Sequence, residues 1–599
     1  MIKQSFKRVI QNNLFILKYA FKYTPLYLIT SCLYPFLGGI VVFFEHTYCI
    51  KYLTDTIQYK GPFSNVVAYI SVISVIVALK IFFGIFYTQY IELNSKEKLH
   101  KNIQMELFQK AVQIDLSCYD NPEYYNEFVW SISEATNRVD KTIEYLYKFC
   151  ENLGVILTTG TLFLLLNKVG LIFVIMSFVL IFLTNIEINK LGFKMDVELK
   201  PKQRKRSYIN RVFYLTDYAK EIRLNNITPK LKMDFNDTNN DISNTINKYS
   251  KKQLVLSFLN NYIFNSFILD GLYMIYLLFI AVVKQSISAG TVIALLSSAR
   301  GMKSNLKGIS NLIPQFQQNS LYIEKMRAFL DYKEVIKNID NAKSVPKEPS
   351  LLELKNVSFS YNEKSGEILK NISINIRPYE KIAFVGYNGA GKTTLTKLLM
   401  RLYDVSKGEI LLNNVNIKNY ELESYRNSFG TVFQDYQIFA ANIAENVIMD
   451  EVTNNEKDII INALENSGFA DKLNSYKNGI YTPLTREFEE TGVNISGGEA
   501  QKIAIARVFA KPCQIIILDE PSSALDPISE YNLNQTMLEA AANKTVIFIS
   551  HRLSSARMAD RIYMLEKGEV IEQGSHEELM NFDGKYAEMF NLQAEKYKF

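Results

Sequence analysis

Residues Gly386-Tyr-Asn388-Gly389-Ala390-Gly391-Lys392-Thr393 carry the spacing of a phosphate-binding loop, GxxxxGK[ST]. The glycines allow backbone N–H groups to close around phosphate oxygens at the N-terminus of a following helix, where unpaired amides and the helix dipole both favour an anion. Lys392 reaches the β and γ phosphates, and the Thr393 hydroxyl can ligate Mg²⁺. Apolar Lys381–Val385 reads as the strand before the loop, and Thr394–Met400 as the helix after it. Ile515-Ile-Ile-Leu-Asp519-Glu520 reads as a second buried strand. It would deliver Asp519 to the Mg²⁺ and Glu520 to a water aimed at the γ-phosphate. The competing role for Glu520 is a cap on the next helix.

A second anion site stands at Ser496-Gly497-Gly498, ahead of the apolar helix Ala500–Ala510. One chain has no second triphosphate to offer it, so it points to a second copy or a partner. This order of motifs resembles the ATPases of ABC transporters over about 240 residues. Ile495-Ser-Gly-Gly-Glu499 is similar to their signature, Ser523-Ala-Leu-Asp526 to the D-loop and Ser550-His551 to the switch histidine. Gln434, in Val432-Phe-Gln-Asp-Tyr, is similar to the Q-loop glutamine, and Tyr361 to the aromatic that stacks on adenine. The resemblance implies catalytic roles for Glu520, His551 and Gln434, and Mg²⁺ on Thr393, Gln434 and Asp519. ATP would be held by Tyr361, Gly386, Asn388, Gly389, Ala390, Gly391, Lys392, Thr393, Thr394, Ser496, Gly497, Gly498 and Asp526. Glu499 departs from the usual glutamine, and an acid beside a triphosphate costs affinity unless it points away.

These sites need an α/β domain, but the first 300 residues have a different character. Uncharged runs long enough to cross a ~30 Å hydrocarbon layer occupy Leu26–Phe44, Gly61–Tyr90 (interrupted by Lys80), Val155–Leu166, Val169–Ile186 and Leu254–Val283 (interrupted by Asp270). Ile287–Ala299 begins a sixth span. The connections 93–144 and 187–252 are long and charged, whereas 167–168 and 284–288 are short. Lys200, Lys202, Arg204, Lys205, Arg206 and Arg211 put the long connections in the cytoplasm. Phe6, Ile10, Leu14, Leu17 and Phe21 recur at helical spacing beside Lys3, Lys7, Arg8, Lys18 and Lys22, which reads as an amphipathic helix on the membrane surface. Lys80 and Asp270 fall at similar depth, and the expense of unpaired charge there offers two readings: the two pair within the dimer's membrane core, or each faces a water-filled cavity. Arg300, Lys303 and Lys307 share one helix face.

The whole is similar to half-size bacterial ABC exporters: a six-span helical membrane domain (1–335), a linker (336–350) and an α/β P-loop ATPase domain (351–599). Cys118-Tyr-Asp-Asn-Pro-Glu and Ala219-Lys-Glu-Ile-Arg223 stand where that family places its coupling helices. The resemblance implies ATP-driven export of an amphipathic peptide, lipid or drug from the plasma membrane. An importer on the same fold and an ATP-gated channel or sensor are the alternatives. A homodimer is favoured over a heterodimer because no catalytic residue is degenerate. No peptidase domain precedes the first helix, so leader cleavage is not expected. Besides the second half-transporter, the partners are membrane lipids and the cargo. Six spans exclude a soluble ATPase of DNA or ribosomes, and a net charge of +6 on 599 residues gives no reason to invoke nucleic acid. Five scattered cysteines without CxxC spacing indicate neither disulfides nor zinc.

Overall fold

Long apolar runs without helix breakers become long helices, since lipid offers the backbone no hydrogen-bond partners and a helix satisfies its own. In chain order these are α1 (Phe6–Tyr23), α2 (Pro25–Val42), α3 (Cys49–Gln58), α4 (Phe63–Phe86), α5 (Leu93–Gln113), α6 (Ser117–Asp120), α7 (Pro122–Leu166), α8 (Lys168–Tyr214), α9 (Thr216–Leu224), α10 (Thr228–Phe258), α11 (Met274–Leu278) and α12 (Ala289–Leu330). Wider π-type turns at Phe43–Tyr48, Tyr87–Glu92, Leu259–Tyr273 and Phe279–Val283 continue several of them without a break. The structure, a computed structural model, describes residues 5–348, 350–361, 366–519, 535–536, 543–549 and 553–595. The chain divides into two compact units, Met1–Val112 with Asn126–Tyr332, and Gln113–Tyr125 with Lys333–Phe599.

In the first unit the turn at Asn167 falls where the sequence predicts it. The Asn167 side chain accepts the Gly170 N–H at 3.0 Å and starts α8. At 47 residues α8 is about 70 Å long, far more than a bilayer needs. Five helices among the described residues are long and apolar enough to cross a membrane. The helix expected as the sixth span, α12, is not among them, because Arg300, Lys303, Asn305 and Lys307 follow the apolar opening of the helix closely. The amphipathic α1 turns Phe6, Ile10, Leu14 and Phe21 outward. Its opposite face docks on α12, where Asn12 Nδ2 donates to Ser320 Oγ at 3.0 Å and Arg327 donates to Asn12 at 2.9 Å.

Within one chain Lys80 and Asp270 each have another charged partner. Lys80 Nζ lies 3.8 Å from Glu45 Oε2, and Arg300 Nε donates to Asp270 at 2.6 Å. The apolar run ends at Phe44, yet the helix continues through the π-type turn and keeps Glu45 beside Lys80 of α4.

In the second unit the strands are β1 (Leu352–Phe359), β2 (Leu369–Ile376), β3 (Lys381–Val385), β4 (Lys407–Leu412), β5 (Val415–Asn416), β6 (Phe429–Val432), β7 (Ile515–Asp519), β8 (Thr545–Ile549), β9 (Arg561–Glu566) and β10 (Glu569–Gly574). A four-stranded antiparallel sheet runs β2-β1-β4-β5; a six-stranded sheet runs β10-β9-β3-β8-β7-β6, parallel except for β9 with β10. The parallel strands read as continuous apolar runs because both faces are covered. Ile382, Phe384, Ile515, Ile517, Ile547 and Ile549 enter one core, and Ala383, Val385, Ile516, Leu518, Val546 and Phe548 enter the other. Residues 336–350 pack on this unit. The Asn338 side chain accepts the Leu422 N–H at 2.6 Å and the Lys337 carbonyl accepts from Arg401 at 3.3 Å.

Candidate functional site

Parallel order puts the carboxyl ends of β3, β6, β7 and β8 along one edge of the sheet, the edge where open α/β sheets bind ligands. Asp519 pairs with Ile549, Ile549 with Phe384, and Val432 with Leu518. The segments that continue from these ends are the glycine loop after β3 and Phe433-Gln434 after β6. Asp519 itself closes β7. Residues far apart in sequence thus converge because their strands end together. Glu520, Asp526 and His551 lie outside the described residues.

The loop leads into a helix, α13 (Lys392–Leu399). Gly386 has φ +146° and Gly391 φ +101°, and a Cβ would come within 2.2 Å of the Leu565 carbonyl at the first and 2.6 Å of Leu369 at the second. Only glycine fits both places. Gly389, with φ +80°, instead meets nothing within 4 Å, so its backbone is open to approach. The Lys392 ammonium, almost wholly buried, donates to the Gly386 and Tyr387 carbonyls at 2.8 and 3.2 Å. Thr393 is exposed while Thr394 turns inward and shares a 3.3 Å hydrogen bond with the Tyr361 hydroxyl.

A cleft of about 1240 Å³ is lined by Gly386 through Thr394 and by Gln434. Met589, Leu592 and Gln593 of the C-terminal helix Lys585–Glu595 form another part of its wall, which no motif in the sequence announces. Gln593 also accepts the Leu553 N–H at 3.0 Å. Asp519, 4% exposed, ends at the same sheet edge. Thr393, Gln434 and Asp519 offer only hard oxygen donors with one carboxylate. That set suits Mg²⁺, which keeps several waters and shares its shell with substrate phosphates.

Ser496 and Gly497 are exposed at the start of the helix Gly497–Ala510, and nothing lies within 4 Å of where a Gly497 Cβ would sit. Glu499 turns back to cap this helix. The Ser496 N–H donates to its carboxylate at 2.8 Å, while the Glu499 N–H donates to the Ser496 hydroxyl at 3.3 Å. Its other oxygen lies 3.0 Å from Lys472 Nζ. Burial works to raise the Glu499 pKa, but the Ser496 amide and Lys472 outweigh it and hold the carboxyl below its usual range. The acid therefore points into its own helix end and is neutralised there. The S-x-x-E spacing of a capping box was the signal in the sequence; Lys472 had none.

Two further links tie this helix to the segment after Gln434. The Tyr436 hydroxyl donates to the Gly497 carbonyl at 2.7 Å, and Arg507 donates to the Gln437 carbonyl at 2.8 Å and to the Asn446 carbonyl at 2.7 Å.

Residues 369–523 match the family model described as ABC transporter. Over 506 residues, 84% of the chain and 81% of the relative, the sequence is 29% identical to the subtilin transport ATP-binding protein SpaT of Bacillus subtilis. It is 33% identical over 358 residues to the ATP-dependent lipid A-core flippase of Pasteurella multocida, a match spanning 59% of the chain and 60% of the flippase. A solved bacterial Atm1-family ABC exporter with ATP bound has the same fold, at a TM-score of 0.74 and 22% identity over 95% of this chain and 98% of that one.

Proposed function

We infer from its place among the half-size ABC exporters, the family to which this chain belongs, that two copies assemble to move an amphipathic peptide, lipid or drug outward at the expense of ATP. The chain is a multi-pass membrane protein with its ATPase domain on the cytoplasmic side. The single observation behind the proposal is that one copy carries both a phosphate loop with its glycines in place and an open serine-glycine helix end. ATP would lie between Lys392 of one copy and Ser496 of the other, so that closure of the pair requires nucleotide. ATP then acts as a ligand with higher affinity for the closed arrangement.

In this reading the amides from Gly386 to Thr394 and the Lys392 ammonium hold the β and γ phosphates, and Tyr361 supports the base. Mg²⁺, on Thr393, Gln434 and Asp519, supplies charge neutralisation at the phosphates. Glu520 orients the water that attacks the γ-phosphorus, with ADP as the leaving group, and His551 and Gln434 respond to the γ-phosphate. A homodimer fits best because each element is intact in this chain. The helix α9, none of whose residues is buried, exposes Tyr218 and Leu224 and offers an apolar edge for the second copy. Residues 1–335 form the membrane domain and 351–599 the ATPase domain on this reading. The names of the relatives support export over import or gating, and the membrane-embedded Asp270–Arg300 pair beside Lys303 suits a cargo with a polar end.

Glu520→Gln tests the assignment. Phosphate release should fall by roughly 10²–10⁴-fold, the range for a positioned base, while ATP binding persists; near-normal hydrolysis would remove Glu520 from the mechanism. An ATPase screen in lipid against peptides, lipids and dyes then identifies the cargo by stimulation.

A further inference from the structure

Along the C-terminal helix Lys585–Glu595, Tyr586, Met589, Phe590 and Gln593 stand at i, i+3, i+4 and i+7, so they share one face. Tyr586 and Met589 are buried in a core of the six-stranded sheet, and Phe590 packs against it. The stripe calls for one more apolar residue at 593, and the chain has a glutamine there. The helix that carries it is fixed at its other end. Glu572 of β10 accepts the Lys585 and Tyr586 N–H groups at 2.6 and 3.0 Å. His576 Nδ1 lies 2.9 Å from the Tyr586 hydroxyl, and its ring centre is 4.8 Å from that of Phe590.

Gln593, half-buried, lines the same cleft as Lys392, Thr393 and Gln434, and its side-chain oxygen accepts the Leu553 N–H at 3.0 Å. Leu553 opens the short helix Leu553–Ala556. The first N–H groups of a helix lack intrahelical partners, and here the partner comes from 40 residues further along the chain. Leu553 and Ala556 are buried in the same core as Tyr586 and Met589. That burial holds the short helix in place without setting the direction from which the chain enters it, because apolar contact is non-directional. A hydrogen bond is sensitive to angle. The Leu553 N–H belongs to a planar peptide unit, the one through which the chain arrives from His551 two residues earlier.

We propose that Gln593 is a positioning residue for ATP hydrolysis, holding the Leu553 peptide so that the segment bearing His551 enters the nucleotide cleft in a fixed direction. The proposal rests on the reading of His551 as a residue that responds to the γ-phosphate. The C-terminal helix then belongs to the hydrolytic site as well as to the core. Gln593 acts through the backbone ahead of Leu553, whereas Lys392 and the loop amides carry nucleotide binding. Its loss therefore falls on turnover and spares affinity.

The experiment measures kcat and KM for Mg-ATP, with affinity for a ribose-labelled fluorescent ATP, on the full chain in nanodiscs of phosphatidylethanolamine and phosphatidylglycerol. Gln593→Leu removes the acceptor and completes the apolar stripe, so the helix keeps its packing. It should lower kcat by roughly tenfold or more, since misplacing a catalytic group by about 1 Å costs up to roughly 10²-fold. Nucleotide affinity should stay within about threefold of normal. Gln593→Ala, which cannot overpack, should show the same split. Gln593→Glu keeps an acceptor oxygen at the same length and should recover kcat to within about threefold of normal, with the cost of its added charge confined to KM. Normal kcat in Gln593→Leu and Gln593→Ala, a matching loss of nucleotide affinity, or a Gln593→Glu protein as slow as Gln593→Leu would each overturn the proposal. Normal hydrolysis in His551→Ala would instead overturn the reading of His551, and a chain that neither binds nor hydrolyses ATP the transporter reading itself.

Discussion

Both units have buried apolar clusters, but their most apolar elements differ in how far they are covered. In the ATPase unit all five residues of β7 are buried. In the membrane unit α4 has 24 residues and buries none of them within the unit, with Phe63 78% and Phe82 64% exposed. The membrane unit does hold a buried apolar cluster around Phe163, Leu269, Tyr273 and Leu295, and polar or backbone-close contacts stand beside it. The Ser31 and Tyr87 hydroxyls pair at 2.9 Å, Asn260 donates to Asn185 at 2.8 Å, and a Cβ at Gly154 would come within 2.3 Å of the Phe36 carbonyl. The difference follows from the solvent. Water drives the apolar strands together, whereas lipid tails are as apolar as leucine, so helices there associate through close packing of small residues and hydrogen bonds.

The sharpest test of that contrast sets a buried isoleucine against an exposed phenylalanine. Ile517→Ala, in the middle of β7, should cost about 4 kcal/mol and abolish the cooperative unfolding of the ATPase domain. Phe82→Ala in lipid should cost under about 1 kcal/mol, since a lipid-facing side chain exchanges one apolar neighbour for another. Equal losses in thermal unfolding would break the comparison. Next in size is Gly154→Val, where overpacking against the Phe36 backbone should cost roughly 2–3 kcal/mol. Its signature is loss of folded protein in detergent with the isolated nucleotide site unchanged in ATP affinity; wild-type stability would refute close packing as the source.

A smaller effect concerns the membrane charges. Arg300→Asp or Asp270→Arg alone should lower expression, by about 1 kcal/mol for a partly exposed pair, and the double reversal should recover it. Recovery by Lys80→Asp with Asp270→Lys instead would point to pairing of those two charges within the dimer. The smallest effect is at Glu499. Its folded-state pKa is depressed, so its contribution is complete above the ordinary carboxylate value of about 4.3 and is lost as pH falls through the depressed folded value. Glu499→Gln should keep maximal ATPase activity within a few-fold of normal. The stability gap between the two proteins should be largest at neutral pH and shrink in acid. A gap that grows in acid would contradict the Lys472 and Ser496 contacts.

The phosphate loop was legible because its chemistry is local: three glycines, a lysine and a threonine act within eight consecutive residues, and the flanking strand and helix have their own periodicities. β3 and β7 read correctly for the same reason, as short apolar runs. Glu45 and the Asp270–Arg300 contact were not legible, because a pairing across helices depends on rotation about each axis and a π-type turn changes that rotation without a mark in composition. Lys472, Gln593 and the C-terminal helix beside the cleft were invisible for a simpler reason. A lysine, a glutamine and an amphipathic helix of ordinary composition have no pattern until another segment is brought against them.

By itself the sequence determined which segments can enter lipid, which must be buried strands, and where backbone amides can hold a phosphate, since each depends on neighbours in the chain. The tertiary structure alone decided that Gln434 and Asp519 meet the loop at one sheet edge, that Glu499 faces its own helix end, and that Gln593 reaches Leu553. Those outcomes turn on strand order and on the docking of the C-terminal helix, long-range contacts whose energy comes from burial of whole surfaces and leaves no trace at any single position.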